Sequence, residues 1–168
     1  MKIDHIGIAT RGIQDAMTFY LEALGLHAAE TEEVAEQKVR VAMIPIGESR
    51  IELLEATSED SPIARFLEKR GPGIHHVNHQ VESNDDVLRS YYHLSGQRVP
   101  IVFGPGRHPT SGARFLYFKG PDGMVFEYSV GVDEIEDEAT HRPRQFGFEP
   151  SSLCMWGSRS AGVLPPNS

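Results

Sequence analysis

Hydrophobic and polar positions along the chain switch repeatedly between a period of two and a period near 3.6. Residues 3–9 are apolar and rich in β-branched side chains, which predicts a strand. Ile13, Ala16, Met17, Tyr20, Leu21 and Leu24 then recur at helical spacing until Gly25, which predicts a helix over 13–24. Strands follow over 28–34, over 39–43 where alternation is clear, and over 50–55 after the Gly47-Glu48-Ser49 turn. This half reads βαβββ. Ser61-Pro62 opens a short helix through Arg70, with proline in its first turn, and Gly71-Pro72-Gly73 breaks the chain.

The second half repeats the order. A strand is predicted over 74–81, and Asn84-Asp85 cap a helix carrying Val87, Leu88, Tyr91 and Leu94 that Gly96 ends. Strands are expected over 98–103, 114–119 and 124–130, the last two joined by Gly120-Pro121-Asp122-Gly123. Residues 104–112 read as a rigid loop. The pattern predicts an α+β fold of two βαβββ modules, 1–70 and 74–130, forming an open, cup-shaped mixed β-sheet around a metal site. A tail over 131–168 should partly pack on the domain and fray at its end.

The metal site is predicted from what the repeat carries. Asp4-His5-Ile6-Gly7-Ile8 opens one half and His75-His76-Val77-Asn78-His79 the other. About fifty residues after each comes a glutamate within a strand: Glu52 in Arg50-Ile51-Glu52-Leu53-Leu54, Glu127 in Met124-Val125-Phe126-Glu127-Tyr128. A buried carboxylate without a partner costs several kcal/mol, so two mid-strand glutamates matched to two strand histidines point to a shared cation. His5, Glu52, His76 and Glu127 form a His2Glu2 ligand set, and the two histidines with one glutamate and open positions would be the facial triad of non-haem iron.

Composition narrows the chemistry. A net charge of −8 without a basic stripe argues against nucleic acid and anionic membrane surfaces. No apolar run reaches the roughly 18 residues that span a bilayer, and Met1-Lys2-Ile3-Asp4 leads straight into a strand pattern. A cytoplasmic protein is expected. Cys154 is the only cysteine, so nitrogen and oxygen must hold any metal. Other features have plain readings: His75 and His79 as packing or surface residues, Gly104-Pro105-Gly106 as a turn rather than a phosphate loop, Cys154 as a spectator, and the acidic run over 133–138 as a solvated segment.

The doubled unit with these ligand positions resembles the vicinal oxygen chelate superfamily, which includes glyoxalase I, methylmalonyl-CoA epimerase and extradiol dioxygenases. Asp4-His5-Ile6-Gly7-Ile8-Ala9, Glu36-Gln37-Lys38-Val39, Glu52-Leu53-Leu54, Asp60-Ser61-Pro62-Ile63-Ala64 and Gly73-Ile74-His75-His76 are similar to the first half of methylmalonyl-CoA epimerases. Gly106-Arg107-His108-Pro109, Phe115-Leu116-Tyr117-Phe118 and Met155-Trp156-Gly157 are similar to the terminal module of a type I extradiol dioxygenase. The chain therefore reads as a chimera joined near His75-His76.

The epimerase resemblance implies one divalent ion (Co2+, Mn2+, Zn2+ or Ni2+) on His5, Glu52, His76 and Glu127. It also implies an acyl-CoA substrate held as an enolate while flanking carboxylates move the proton. The dioxygenase resemblance implies Fe2+ on His5, His76 and Glu127, a catechol substrate, and His108 and Tyr117 contacting oxygen and catechol. No histidine lies near 47–54, where that family carries its acid–base His. The reading adopted is epimerase-like proton transfer served by Glu52 and Glu127. The alternatives are extradiol ring cleavage using His108 and Tyr117, and a catalytically silent metal-binding scaffold. A homodimer is a possible assembly.

Overall fold

The alternation read on either side of Gly47 folds into a hairpin. In the computed structural model, which describes residues 1–27, 31–133, 146 and 149–160, β3 (Val39–Ile46) and β4 (Ser49–Ala56) pair antiparallel from Val39↔Ala56 to Ile46↔Ser49. Gly47, at φ +58°, supplies the left-handed residue that so short a connection needs. β2 (Thr31–Val34) lies antiparallel against β3, and β1 (Lys2–Ala9) runs parallel to β4. With β5 (Gly73–Gln80) beside β1, the order is β2-β3-β4-β1-β5, a mixed sheet. The predicted strand over 28–34 is thus seen as Thr31–Val34; residues 28–30 lie outside those described.

The helix predicted over 13–24 starts as α1 (Ile13–Thr18) and widens to a π turn over Phe19–Ala23 before Gly25 takes φ +68°. Helix α2 (Pro62–Arg70) has Ser61 as its cap, whose hydroxyl accepts from the Ile63 N–H at 3.1 Å. Its last turn carries Lys69 and Arg70 at the negative end of the helix dipole. Strand alternation divides the apolar residues between two cores. Ala9, Val39, Val41 and Leu54 pack with Ile63 and Leu67 of α2, while Ala42, Ile44 and Leu53 pack with Ile13 of α1.

The chain divides into two compact units, 3–78 and 79–168, the second also taking Met1–Lys2. The division falls inside β5 rather than at Gly71-Pro72-Gly73. In the second unit α3 (Asn84–Gly96) covers β6 (Ile101–Arg107), β7 (Arg114–Lys119) and β8 (Val125–Val130), and the strand order is β8-β7-β6. Its core is Val81, Val87, Leu116 and Phe118. The element order is βαβββ twice, with α2 between, and the fold class is α+β as the pattern predicts.

Two local expectations are corrected here. Ser83, not Asn84-Asp85, caps α3, because its hydroxyl accepts from the Asp86 N–H while Asn84 is already helical. The strand placed over 98–103 is β6 (Ile101–Arg107), which runs through the Gly104-Pro105-Gly106 stretch read as a turn. The reason is partnership. Arg98 takes a left-handed φ of +60°, which delays the strand, and glycine at 106 lets the backbone sit against Phe115 and Cys154, where a Cβ would come within 2.5 and 2.6 Å. Tail residues close over this strand: the Met155 N–H donates to the Arg107 carbonyl at 2.8 Å, and the Gly104 N–H to Ser158 Oγ at 2.9 Å. Cys154 is buried there. Most of the acidic run over 133–138, and the chain end from 161, lie outside the described residues.

Candidate metal centre

Three of the four predicted ligands meet in the first unit, and the sheet explains how. β1 lies between β4 and β5, and the parallel register sets Gly7 beside Glu52. His5 and Gly7 share a face of β1, and paired residues of neighbouring strands point the same way. Because Gly7 has no side chain, the imidazole of His76 fits above it; a Cβ there would meet His76 Cε1 at 2.3 Å. The buried Gly7 is the floor on which His5, Glu52 and His76 converge. Sequence reading gave this glycine no role, although its place two residues after His5 was the available signal.

The distances suit a metal ion. His5 Nε2 is 3.1 Å from His76 Nε2, and Glu52 Oε2 is 3.7 Å from the first and 3.4 Å from the second. A point equidistant from these three atoms lies about 2.0 Å from each, within the ordinary range of metal–nitrogen and metal–oxygen bonds. No other group of three or more donors this close, from His, Cys, Asp or Glu, is found among the described residues.

Electrostatics agrees with the geometry. Burial, the largest influence, raises the Glu52 carboxyl above its usual range, opposed by His5 and Arg50. Burial pushes His76 well below the ordinary imidazole value, with His75 and His5 adding to the effect. A carboxylate that is costly to ionise beside an imidazole, His76, that resists protonation is a pair of donors a cation would stabilise. His5 has its own support. Its Nδ1 lies 2.8 Å from Asp4 Oδ2, and Arg50 binds the same carboxylate oxygen. The hydrogen bond from His5, then Arg50, hold Asp4 below the usual carboxylate range against the opposing effect of burial. Since a carboxylate only accepts, Nδ1 of neutral His5 carries the proton and Nε2 presents its lone pair.

His75, expected to pack or face solvent, is a half-buried neighbour of the site that packs as expected. Its ring lies edge-on to Phe66 of α2 at 5.0 Å, its Nδ1 is 3.0 Å from His76 Nδ1, and burial pushes it down to about 4. His79 packs between Phe126 and Tyr128, and among the described residues its buried Nδ1 has no hydrogen-bond partner.

Glu127, His108 and Tyr117 lie together in the second unit. Tyr117 and Glu127 are cross-strand partners on β7 and β8, and Glu127 is buried. His108 Nε2 lies 3.4 Å from the Tyr117 hydroxyl and 4.0 Å from Glu127 Oε1. The imidazole stacks on Phe115 at 3.9 Å and donates from Nδ1 to the Leu153 carbonyl at 3.0 Å, which leaves Nε2 as the acceptor for Tyr117. Burial lowers His108 to about 4, opposed by that carbonyl. Sequence reading found His108 but not the tail carbonyl that fixes it, because Leu153 enters through its backbone.

Comparison with known proteins adds the relatives. Residues 2–128 match the family described as the Glyoxalase/Bleomycin resistance protein/Dioxygenase superfamily. The uncharacterized protein YqjC of Bacillus subtilis is 41% identical over 131 residues, covering 75% of this chain and 89% of its own. The ethylmalonyl-CoA/methylmalonyl-CoA epimerase of Cereibacter sphaeroides is 34% identical over 134 residues, covering 75% and 95%. Metapyrocatechase 2 of Cupriavidus necator is 24% identical over 156 residues, covering 93% and 44%. A Streptomyces coelicolor methylmalonyl-CoA epimerase variant, solved with 2-nitronate-propionyl-CoA, superposes with a TM-score of 0.64 at 30% identity over 77% of this chain and 96% of its own. The epimerase likeness extends well beyond residue 76, so a junction there has no support.

Proposed function

Because the chain belongs to the Glyoxalase/Bleomycin resistance protein/Dioxygenase superfamily, we propose that it is a divalent-metal-dependent enzyme that moves a proton α to the carbonyl of an acyl-CoA thioester, as an epimerase does. The observation that carries this reading is Glu52. Its carboxylate stands with both imidazoles at metal-binding distance, which supports the ligand set that the epimerase resemblance implies. His5, Glu52 and His76 hold the ion, which would be Co2+, Mn2+, Zn2+ or Ni2+. Glu127 is proposed as a fourth ligand on the sequence repeat alone.

A bound divalent ion would supply electrophilic stabilisation to the thioester oxygen as the neighbouring proton leaves. The chain's own contribution is orientation and charge. Arg50 and Asp4 fix the His5 ring, Gly7 leaves room for His76, and the Glu52 carboxylate offsets part of the cation's charge. A cytoplasmic location and a homodimer are part of this proposal. Among the described residues, no helix is long and apolar enough to cross a membrane.

The test is Glu52→Ala, read by metal content and by deuterium exchange at the α-carbon of methylmalonyl-CoA. We expect metal affinity to fall about a hundredfold and exchange to cease, taking each ligand as roughly a quarter of the about 10–16 kcal/mol of a four-ligand site. Retained metal with undiminished exchange would overturn the assignment.

One observation favours a second reading. His108, Tyr117 and Glu127 are gathered beside the aromatic rings of Phe103 and Phe115, a setting suited to catechol cleavage with Fe2+. Ring-fission absorbance from iron-loaded protein, lost in His108→Ala, would favour it over proton transfer.

A further inference from the structure

The two imidazoles at the candidate metal centre have different supports. His5 leans on the Asp4 carboxylate, whereas His76 leans on another imidazole, His75, through an Nδ1···Nδ1 contact of 3.0 Å. Adjacent strand residues leave on opposite faces, yet these two rings turn edge to face with centroids 5.3 Å apart.

Counting protons shows what His75 must do. Three hydrogen-bond contacts run in a row: His75 Nδ1 to His76 Nδ1, His76 Nε2 to His5 Nε2, and His5 Nδ1 to Asp4. Three neutral imidazoles carry one N–H each, which satisfies the row if His75 donates to His76, His76 to His5, and His5 to Asp4. In that arrangement His76 Nε2 is protonated and is not a ligand. To bind a cation, Nε2 must be bare, so the proton of His76 must sit on Nδ1. It then needs an acceptor, and the Nδ1 of His75 is the atom at hydrogen-bond distance. His75 in turn must carry its own proton on Nε2. No proton is gained or lost by the three rings; two of them change tautomer.

We propose that His75 is a positioning residue for the cation site: it accepts the Nδ1 proton of His76 and so fixes the tautomer in which His76 Nε2 is free to bind. This rests on the reading of His5, Glu52 and His76 as metal ligands. Phe66 from α2 packs against His75, so a helix that contributes none of the three proposed ligands takes part in aligning the site.

Two measurements test it. Calorimetric titration with Zn2+ and Co2+ is carried out on the wild type, His75→Phe and His75→Asn. Phenylalanine keeps the ring against Phe66 but removes the acceptor, and affinity should fall about 10- to 100-fold, the usual effect of losing a group that orients a metal-binding histidine. Asparagine places an acceptor near the old Nδ1 and should restore most of the affinity, which a merely packing role would not produce. The second measurement is 15N histidine NMR on the wild type with saturating Zn2+, which does not depend on the variants folding. The His76 Nδ1 should be protonated and the His75 Nδ1 not. Undiminished affinity in His75→Phe, or a protonated His75 Nδ1 in the zinc form, overturns the proposal. A wild type that takes up neither ion overturns the metal-centre reading itself and this inference with it, a result distinct from the other two.

Discussion

Glu52 and Glu127 stand at matching places in the repeat, on the last strand of each βαβββ unit, yet their surroundings differ in kind. Glu52 faces two imidazoles across a glycine floor, and those imidazoles are backed by Asp4, Arg50 and His75. Glu127 is more deeply buried and, within the second unit, lies near the His108 imidazole and its cross-strand partner Tyr117, with His108 backed by Phe115 and by the carbonyl of Leu153. One setting is a chain of polar groups suited to a cation. The other is an aromatic wall around one histidine with a fixed tautomer. A repeated sequence unit thus specifies where a carboxylate stands, while the residues packed around it within its own unit are set by the local sequence.

The comparison breaks most completely if metal uptake survives without the imidazoles. In His5→Ala/His76→Ala, loss of two ligands should abolish measurable uptake, a fall of about four orders of magnitude at roughly a hundredfold per ligand. Elemental analysis after dialysis reads this directly. Full occupancy in the double variant would mean that the first unit does not hold the ion.

A smaller but more local effect belongs to the floor. Gly7→Ala puts a methyl group where the His76 ring lies, and the ring must move because the backbone on either side is held in the sheet. We expect about 1–3 kcal/mol of lost stability, the usual range for overpacking, together with weaker metal binding. Denaturant unfolding and titration would show the two losses together.

Acid should affect both regions in the same direction. His75 and His108 are pushed to about 4 and His76 well below its ordinary value, all chiefly by burial. A folded-state value below the unfolded one means stability that is present above about pH 6.5 and lost as pH falls toward 4. Glu52, raised by burial, acts oppositely: its protonation favours the folded state, and that gain is lost as pH rises through the raised value. With His79 lowered by burial as well, four imidazoles outweigh one carboxylate, so the melting temperature of metal-free protein should fall by more than about 10 °C between pH 7 and 4.5. His108→Gln should remove part of the slope without altering metal content. A flat profile would mean that these rings are hydrated.

The smallest effect sharpens the contrast. Ser158→Ala removes the acceptor of the Gly104 N–H and should cost about 1 kcal/mol, leaving metal content unchanged because the contact lies in the second unit. Thermal unfolding followed beside metal analysis would separate the two quantities.

Alternation and turn residues determined the order βαβββ twice, the hairpin about Gly47 and the start of α2, since periods of 2 and 3.6 and proline at a first turn are local properties of the chain. The histidines and glutamates of the candidate site were legible for the same reason: strand parity and the repeat put them at matching positions. Tertiary structure decided what parity cannot express. Extension of β6 through Gly104-Pro105-Gly106 depends on partners in β7 and the tail. The clearance above Gly7 depends on a ring sixty-nine residues away in sequence. The tautomers of His5 and His108 depend on a carboxylate and a carbonyl in reach of their Nδ1 atoms. Such contacts depend on distance in space, and a one-dimensional pattern records only distance along the chain.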